Sequence, residues 1–217
     1  MSYPYTFLRP DQIEKLRARV AHRLSEKRMK HVLAVEDMAF RLGLLFFFND
    51  EESLILLRAA ALLHDVTKEL TDDEQLAILE SRSVKKLPED LASMPTIHAL
   101  TAAVIIPEEF PEFADPRLID AVRYHTTGRA GMSILEKIIF FADYIDETRT
   151  YDSCVKLREE FFAAEPQNMS ERERVELLNR AAVTSIENTL SHLREKQRSI
   201  HPLTLDALRD LKARLGE

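Results

Sequence analysis

His64 and Asp65 are neighbours at the end of the run Leu54-Ile-Leu-Leu-Arg-Ala-Ala-Ala-Leu-Leu63. An imidazole and a carboxylate carried on so apolar a segment are costly to bury unless something pairs with them. A metal cation is one such partner. Neutral imidazole and ionised carboxylate are good ligands, and a carboxylate can share its two oxygens between two ions. A His-Asp dipeptide arises often by chance, so the pair gains weight only from its company. His31 is followed at i+4, i+7, i+8 and i+11 by Val35, Met38, Ala39 and Leu42, the stripe of a core-facing helix. His125 follows Leu118, Ala121 and Val122 at helical spacing, His98 opens Ala-Leu-Thr-Ala-Ala-Val-Ile-Ile, and Asp143 stands after Ile-Ile-Phe-Phe-Ala. Taken singly, each histidine also reads as a core side chain hydrogen-bonded to backbone, and Asp143 as the partner of an arginine. Taken together, four of the seven histidines and two aspartates fall on inward faces or ends of separate helices. Helical bundles build metal centres from facing helices in this way. His22, His192 and His201 lack such a setting.

The elements that must carry these groups are helices. Asp11–Leu24 has an amphipathic pattern. Ser25 can cap a helix running to about Leu42 and stopping at Gly43, and Asn49 or Asp50 can cap the next, through Leu54–Leu63. Three Ser/Thr-x-x-Glu capping boxes follow, Thr71 with Glu74, Ser133 with Glu136 and Ser170 with Glu173. Asp115-Pro116 starts a helix that Gly128 ends, because proline suits the first helical position and glycine the C-terminal exit. The spacing predicts one helix over Ile134–Ile145, a long one from Ser170 to about Arg198, and a short last one over Thr204–Leu215. Pro107, Pro111 and Pro116 fall close together and read as a loop. No segment shows sustained strand alternation, so the expected class is all-α.

Four glycines and no tryptophan in 217 residues leave too few tight turns for a β-sandwich or barrel. The 45% hydrophobic content supports one substantial core. We expect a single domain over 1–217, with a core of about 20–165 and helices of 166–217 packed on it. A formal charge of −7 argues against a nucleic-acid partner, although bound cations can reverse the local field for a small phosphorylated ligand. The single cysteine, Cys154, suits a reducing compartment. Met1–Pro10 lacks a signal-peptide pattern, and the most lipid-like stretch, Leu42–Phe48, is too short to span a bilayer. A cytoplasmic protein without a membrane partner is expected.

Longer phrases around these residues carry a resemblance. Arg28-Met-Lys-His31, Ala61-Leu-Leu-His-Asp-Val-Thr-Lys68, Tyr124-His-Thr-Thr-Gly128 and Met132-Ser-Ile-Leu-Glu-Lys-Ile-Ile-Phe-Phe-Ala-Asp143-Tyr-Ile are similar to the HD superfamily of metal phosphohydrolases. In particular they resemble its YqeK family, bacterial symmetrical bis(5′-nucleosyl)-tetraphosphatases. The similarity spans about residues 20–205, with Thr96-Ile-His98-Ala departing from the expected Leu-His-Gly-like phrase. The resemblance implies an HD-domain helical bundle with a dinuclear metal site between helices. His31, His64, Asp65 and Asp143 would hold one ion, and Asp65, His98 and His125 the other, with Asp65 bridging. Two divalent or trivalent transition-metal ions are implied, iron by the family, with manganese, cobalt or zinc as alternatives.

The implied reaction is hydrolysis of diadenosine tetraphosphate, or a related dinucleoside polyphosphate, at its centre to give two ADP. Asp65 and Lys68 are the catalytic candidates. Lys68 could contact phosphate or protonate the departing oxygen, or equally form a surface pair with Asp72 or Asp73. Arg28, His31, Lys68, Thr126, Thr127 and Arg129 are the substrate-binding candidates. Arg129 is a bidentate phosphate binder by type. Arg28 reads either as a substrate contact or as the holder of an acidic partner, and Thr126 and Thr127 as hydroxyl donors or caps. Arg149 follows Asp146-Glu147 and reads as readily as a plain ion pair. Two alternatives stay open: an HD enzyme acting on mononucleotides (a nucleotidase or dNTP triphosphohydrolase), and a non-catalytic nucleotide-binding regulatory module. The long amphipathic helix over Ser170–Arg198 could pack on the core or on a second copy in a homodimer.

Overall fold

The computed structural model describes residues 10–85 and 88–217. Residues 1–9, on which the signal-peptide reading rests, lie outside the described residues. Among the described residues there are helices and no strand. They are α1 (Pro10–Ala21), α2 (Glu26–Phe46), α3 (Glu51–Leu63), α4 (Asp72–Ser81), α5 (Pro88–Ala92), α6 (Ile97–Glu109), α7 (Pro116–Tyr124), α8 (Ile134–Ile145), α9 (Asp152–Ala163), α10 (Glu171–Glu195) and α11 (Pro202–Leu215). The all-α class is therefore observed. Among the described residues no helix is long and apolar enough to cross a membrane.

Capping residues set the helix starts. The hydroxyls of Ser25, Thr71, Ser133 and Ser170 each accept from the backbone amide three residues on, and Asp50 accepts from Ser53 N. In the three boxes the glutamate returns the bond to the cap amide, so two helix-end donors are satisfied at each start. Asp115 caps α7 through Arg117 N, and Gly128, at φ +63°, closes its exit with a bond from Gly128 N to Tyr124 O of 2.8 Å. That left-handed conformation is open to glycine at little cost.

Two expectations fail here, both for tertiary reasons. Gly43 does not stop α2, which continues to Phe46. A Cβ at Gly43 would lie 2.5 Å from Leu57 Cδ2 and 3.0 Å from Leu54 Cδ2, so the glycine lets α2 and α3 approach closely. Gly43→Ala should gain about 1 kcal/mol in helix propensity but lose about 1–3 kcal/mol by overpacking against the buried Leu57. The expected net is a lower urea midpoint; a higher one would show that the contact has slack. Pro107 lies inside α6 and not in a loop. Near the helix end it forfeits a single amide bond, and burial of Ile105, Ile106 and Phe110 outweighs that loss. The irregular stretch shrinks to residues 110–115.

The core joins the inward faces of α1, α2, α3, α6, α7 and α8. α2 packs on α3 and α8, α7 on α3, α6 and α8, so these five helices surround one point. A second apolar cluster, including Phe140, Ile186, Leu190, Ala207 and Leu211, seats α10 on α8 and α11 on α10. Buried Lys137 donates to Asn179 Oδ1 at 2.7 Å across the same contact.

Candidate metal centre

The five helices bring six side chains together. His31 comes from the second turn of α2. His64 ends α3 with Asp65 beyond it, His98 lies in the first turn of α6, His125 ends α7, and Asp143 lies in the last turn of α8. All but Asp143 are buried, and Asp143 keeps 19% of its side chain exposed.

Helix ends explain how the histidines are aimed. Carbonyls at a helix terminus have no intrahelical donor. His64 Nδ1 lies 2.6 Å from Ala61 O, and His125 Nδ1 2.7 Å from Val122 O. His98 Nδ1 lies 3.0 Å from Pro95 O, in the turn before α6. A carbonyl only accepts, so Nδ1 of His64 and of His125 carries the proton and Nε2 offers a lone pair, the tautomer that ligating histidines adopt. His31 Nδ1 is held by different partners, Thr148 Oγ1 at 3.3 Å and Asp146 Oδ2 at 3.3 Å.

The Nε2 atoms converge on the two oxygens of Asp65. Oδ2 lies 3.7 Å from His31 Nε2 and 3.6 Å from His64 Nε2. Oδ1 lies 3.2 Å from His98 Nε2 and 3.8 Å from His125 Nε2. Asp143 Oδ1 lies on the Oδ2 side, 3.1 Å from His31 Nε2 and 3.9 Å from His64 Nε2. Two tight sets of potential ligand atoms result, His31 with His64 and Asp143, and His64 with Asp65 and His125.

A divalent metal ion fits this donor set. His64 Nε2 is fully buried and makes no hydrogen bond, an expensive state unless a cation takes the lone pair. Buried Glu36 shows the contrast, since Arg17 and Arg58 answer its carboxylate at 2.7 and 2.9 Å. Burial pushes His64 and His98 down to about 4, so both rings are neutral at pH 7. Burial also opposes charge on His31, but hydrogen bonds and charge from Asp143 and Asp146 outweigh it and raise that ring to about 9. Burial would lift Asp65 and Asp143, yet the histidines, and Arg149 in the case of Asp143, hold both carboxyls well below the usual range.

Four cations near the cluster have defined partners. Arg28 Nη1 donates to Asp65 Oδ2 at 2.8 Å, the acid-holding role. Arg149 pairs with Asp146 at 3.3 Å and more closely with Asp143 Oδ1 at 2.6 Å. Lys68 is not paired with Asp72 or Asp73; its Nζ donates to Pro95 O at 3.1 Å and lies 3.0 Å from His98 Nδ1. Burial lowers its pKa. Arg129 is committed elsewhere, to Glu136 at 2.6 Å and Asp120 at 2.8 Å, with its guanidinium over the Tyr124 ring. Glu136 is itself placed by its capping box. Thr127 bonds Gly128 O and is buried, whereas Thr126 Oγ1 is buried without a partner beside His125.

Sequence reasoning missed Asp146, fully buried one turn after Asp143, and Thr148 beside it. The only signal was the i+3 spacing from Asp143. It also missed two clefts. One is lined by Lys27, Arg28, Lys30, His31 and Glu69 on one side and Glu147–Tyr151 on the other, with basic side chains in excess. The second lies between α8, α9 and α10 and includes His192 in its wall.

Known proteins share this framework. The HD domain family profile matches residues 28–148. A symmetrical bis(5′-nucleosyl)-tetraphosphatase of Bacillus subtilis is 31% identical over 193 residues, 88% of this chain and 92% of that protein. One of the same name from Halalkalibacterium halodurans is 31% identical over 182 residues, 84% of this chain and 87% of that one. A Clostridium acetobutylicum crystal structure, described as a predicted HD superfamily hydrolase involved in NAD metabolism, superposes with a TM-score of 0.78 at 30% identity, covering 93% of this chain and 97% of that one. The matched segment runs from Arg28 to Thr148 and so contains all six converging side chains; the chain belongs to the HD domain family.

Proposed function

We propose that this protein is a metal-dependent phosphohydrolase that cleaves dinucleoside tetraphosphates at the central bridge, diadenosine tetraphosphate giving two ADP. The observation that carries the reading is the division of the Asp65 carboxylate between two sets of histidines. The relatives named symmetrical bis(5′-nucleosyl)-tetraphosphatases support the substrate class. In this reading His31, His64, Asp65 and Asp143 hold one ion and Asp65, His98 and His125 the other. Iron is proposed, with manganese, cobalt or zinc as alternatives. When bound, such ions neutralise phosphate oxygens and make water a nucleophile at neutral pH.

The chain's own residues do the rest. Asp65 and Asp143 hold the charge of the centre, and the Nδ1 anchors keep each imidazole aimed without reorganisation. Arg28 and Arg149 bring guanidinium groups to the rim beside those carboxylates, where a substrate phosphate can recruit them. The groove carrying Lys27, Arg28 and Lys30 offers a basic path for one diphosphate arm. Lys68, beside the His98 ring, is the proposed donor of a proton to the departing diphosphate oxygen. Thr126 offers an unengaged hydroxyl to substrate. We further propose one functional unit over the whole chain, cytoplasmic, with a small-molecule partner, no nucleic-acid partner and no membrane partner; a homodimer through the outer face of α10 is compatible with it.

Chromatography of the products tests the reaction. The expected result, with iron, manganese or cobalt supplied, is ADP as the sole product of diadenosine tetraphosphate. ATP plus AMP, phosphate release from mononucleotides only, or no turnover would overturn it.

A further inference from the structure

The second cleft has a composition that the metal centre alone does not require. It is a cavity of about 350 Å³ that begins at His125, Asp143 and Arg149 and ends at α10. That volume is at the low end for small-molecule sites and suits one nucleoside better than a whole dinucleotide. Phe140 and Tyr144 of α8 supply apolar wall, and Asn188 of α10 faces them with a carboxamide. Asn188 is within hydrogen-bond reach of the Tyr144 hydroxyl, a single one of the bonds that a carboxamide can make. The unpartnered Thr126 hydroxyl lies in the wall between the cavity and the centre. Tyr151, 70% exposed, stands at the lip shared with the basic groove.

We propose that this cavity is the nucleoside subsite and that Asn188 is a specificity-determining residue that selects adenine. The inference deepens the preceding reading and rests on it. A carboxamide presents one donor and one acceptor side by side. Adenine answers with its N7 acceptor and N6 amine, whereas guanine offers two acceptors on the same edge, N7 and O6. Tyr151 supplies a stacking face, which any base can use. The ribose lies toward Thr126, and the diphosphate runs past Arg149 to the cluster. Central cleavage then leaves one nucleoside diphosphate in the cavity and sends the other out along the basic groove, so a symmetrical cut follows from a subsite one nucleoside diphosphate long.

The test is equilibrium binding of ADP and GDP to the metal-loaded full chain, together with kcat/KM for diadenosine and diguanosine tetraphosphate. Each is measured for the wild type, Asn188→Ala and Tyr151→Ala, with thermal melts to check folding. Wild type should prefer adenine. Asn188→Ala should cut the adenine-over-guanine ratio about 10-fold, in the range of a lost bidentate base contact. Tyr151→Ala should weaken both purines together and leave the ratio in place. A ratio unmoved by Asn188→Ala, or an equal loss for ADP and GDP in that variant, would overturn the subsite. The two readings fail separately. Tetraphosphate hydrolysis with an unmoved ratio keeps the reaction and removes the subsite, whereas an Asn188-dependent ADP preference without hydrolysis does the reverse.

Discussion

Asp65→Asn is expected to lower turnover on the order of 10³-fold or more, because two cations stabilising phosphate charge are worth several kcal/mol. The substitution keeps the size and shape of the side chain. It removes the charge and turns one of two acceptor oxygens into an NH₂ donor aimed either at His31 and His64 or at His98 and His125. Both sets lie within 3.8 Å of Asp65, so no rotamer presents an acceptor to both. Elemental analysis of the same variant should show metal content reduced to one equivalent per chain or fewer. Full metal content with near-normal turnover would mean that Asp65 is merely a well-buried partner of Arg28.

The second large effect is expected at His64. Its ring is fully buried, belongs to both sets of potential ligand atoms, and has an orphaned Nε2. His64→Ala should therefore lose metal from the centre as a whole and abolish activity, with His64→Gln, closer in volume, behaving alike if the first variant folds poorly. His22→Ala is the appropriate reference. His22 is exposed and outside both clefts, whereas His192, which the sequence presents as equally neutral, stands in the wall of the nucleoside cavity. Equal retention of metal and turnover in His64→Ala and His22→Ala would remove the centre from the place assigned to it.

The residues legible in the sequence are those whose surroundings are local. His31 sits on a stripe whose period points it inward, and Asp143 has apolar neighbours on its own helix. The boundaries of α4, α8 and α10 follow from capping boxes in which both partners lie within four residues. What escaped depends on a second element. Gly43 reads as a helix stop until Leu57 of α3 is brought against it. The ion pairs of Arg129 with Glu136 and Asp120, and the bond from Lys68 to Pro95 O in the turn before α6, likewise depend on how separate segments are placed. Asp146 was hidden because nothing in its own segment marks a carboxylate as buried; the His31 ring that it meets comes from α2. The nucleoside cavity combines α8, α9 and α10, whose relative placement no periodicity encodes.

The most direct measurement is anomalous diffraction from crystals of the manganese- or iron-loaded protein. Two peaks about 3.5–4 Å apart should flank the Asp65 carboxylate, one beside His31, His64 and Asp143 and the other beside His98 and His125. A single peak, or none within reach of Asp65, would contradict a shared two-ion centre.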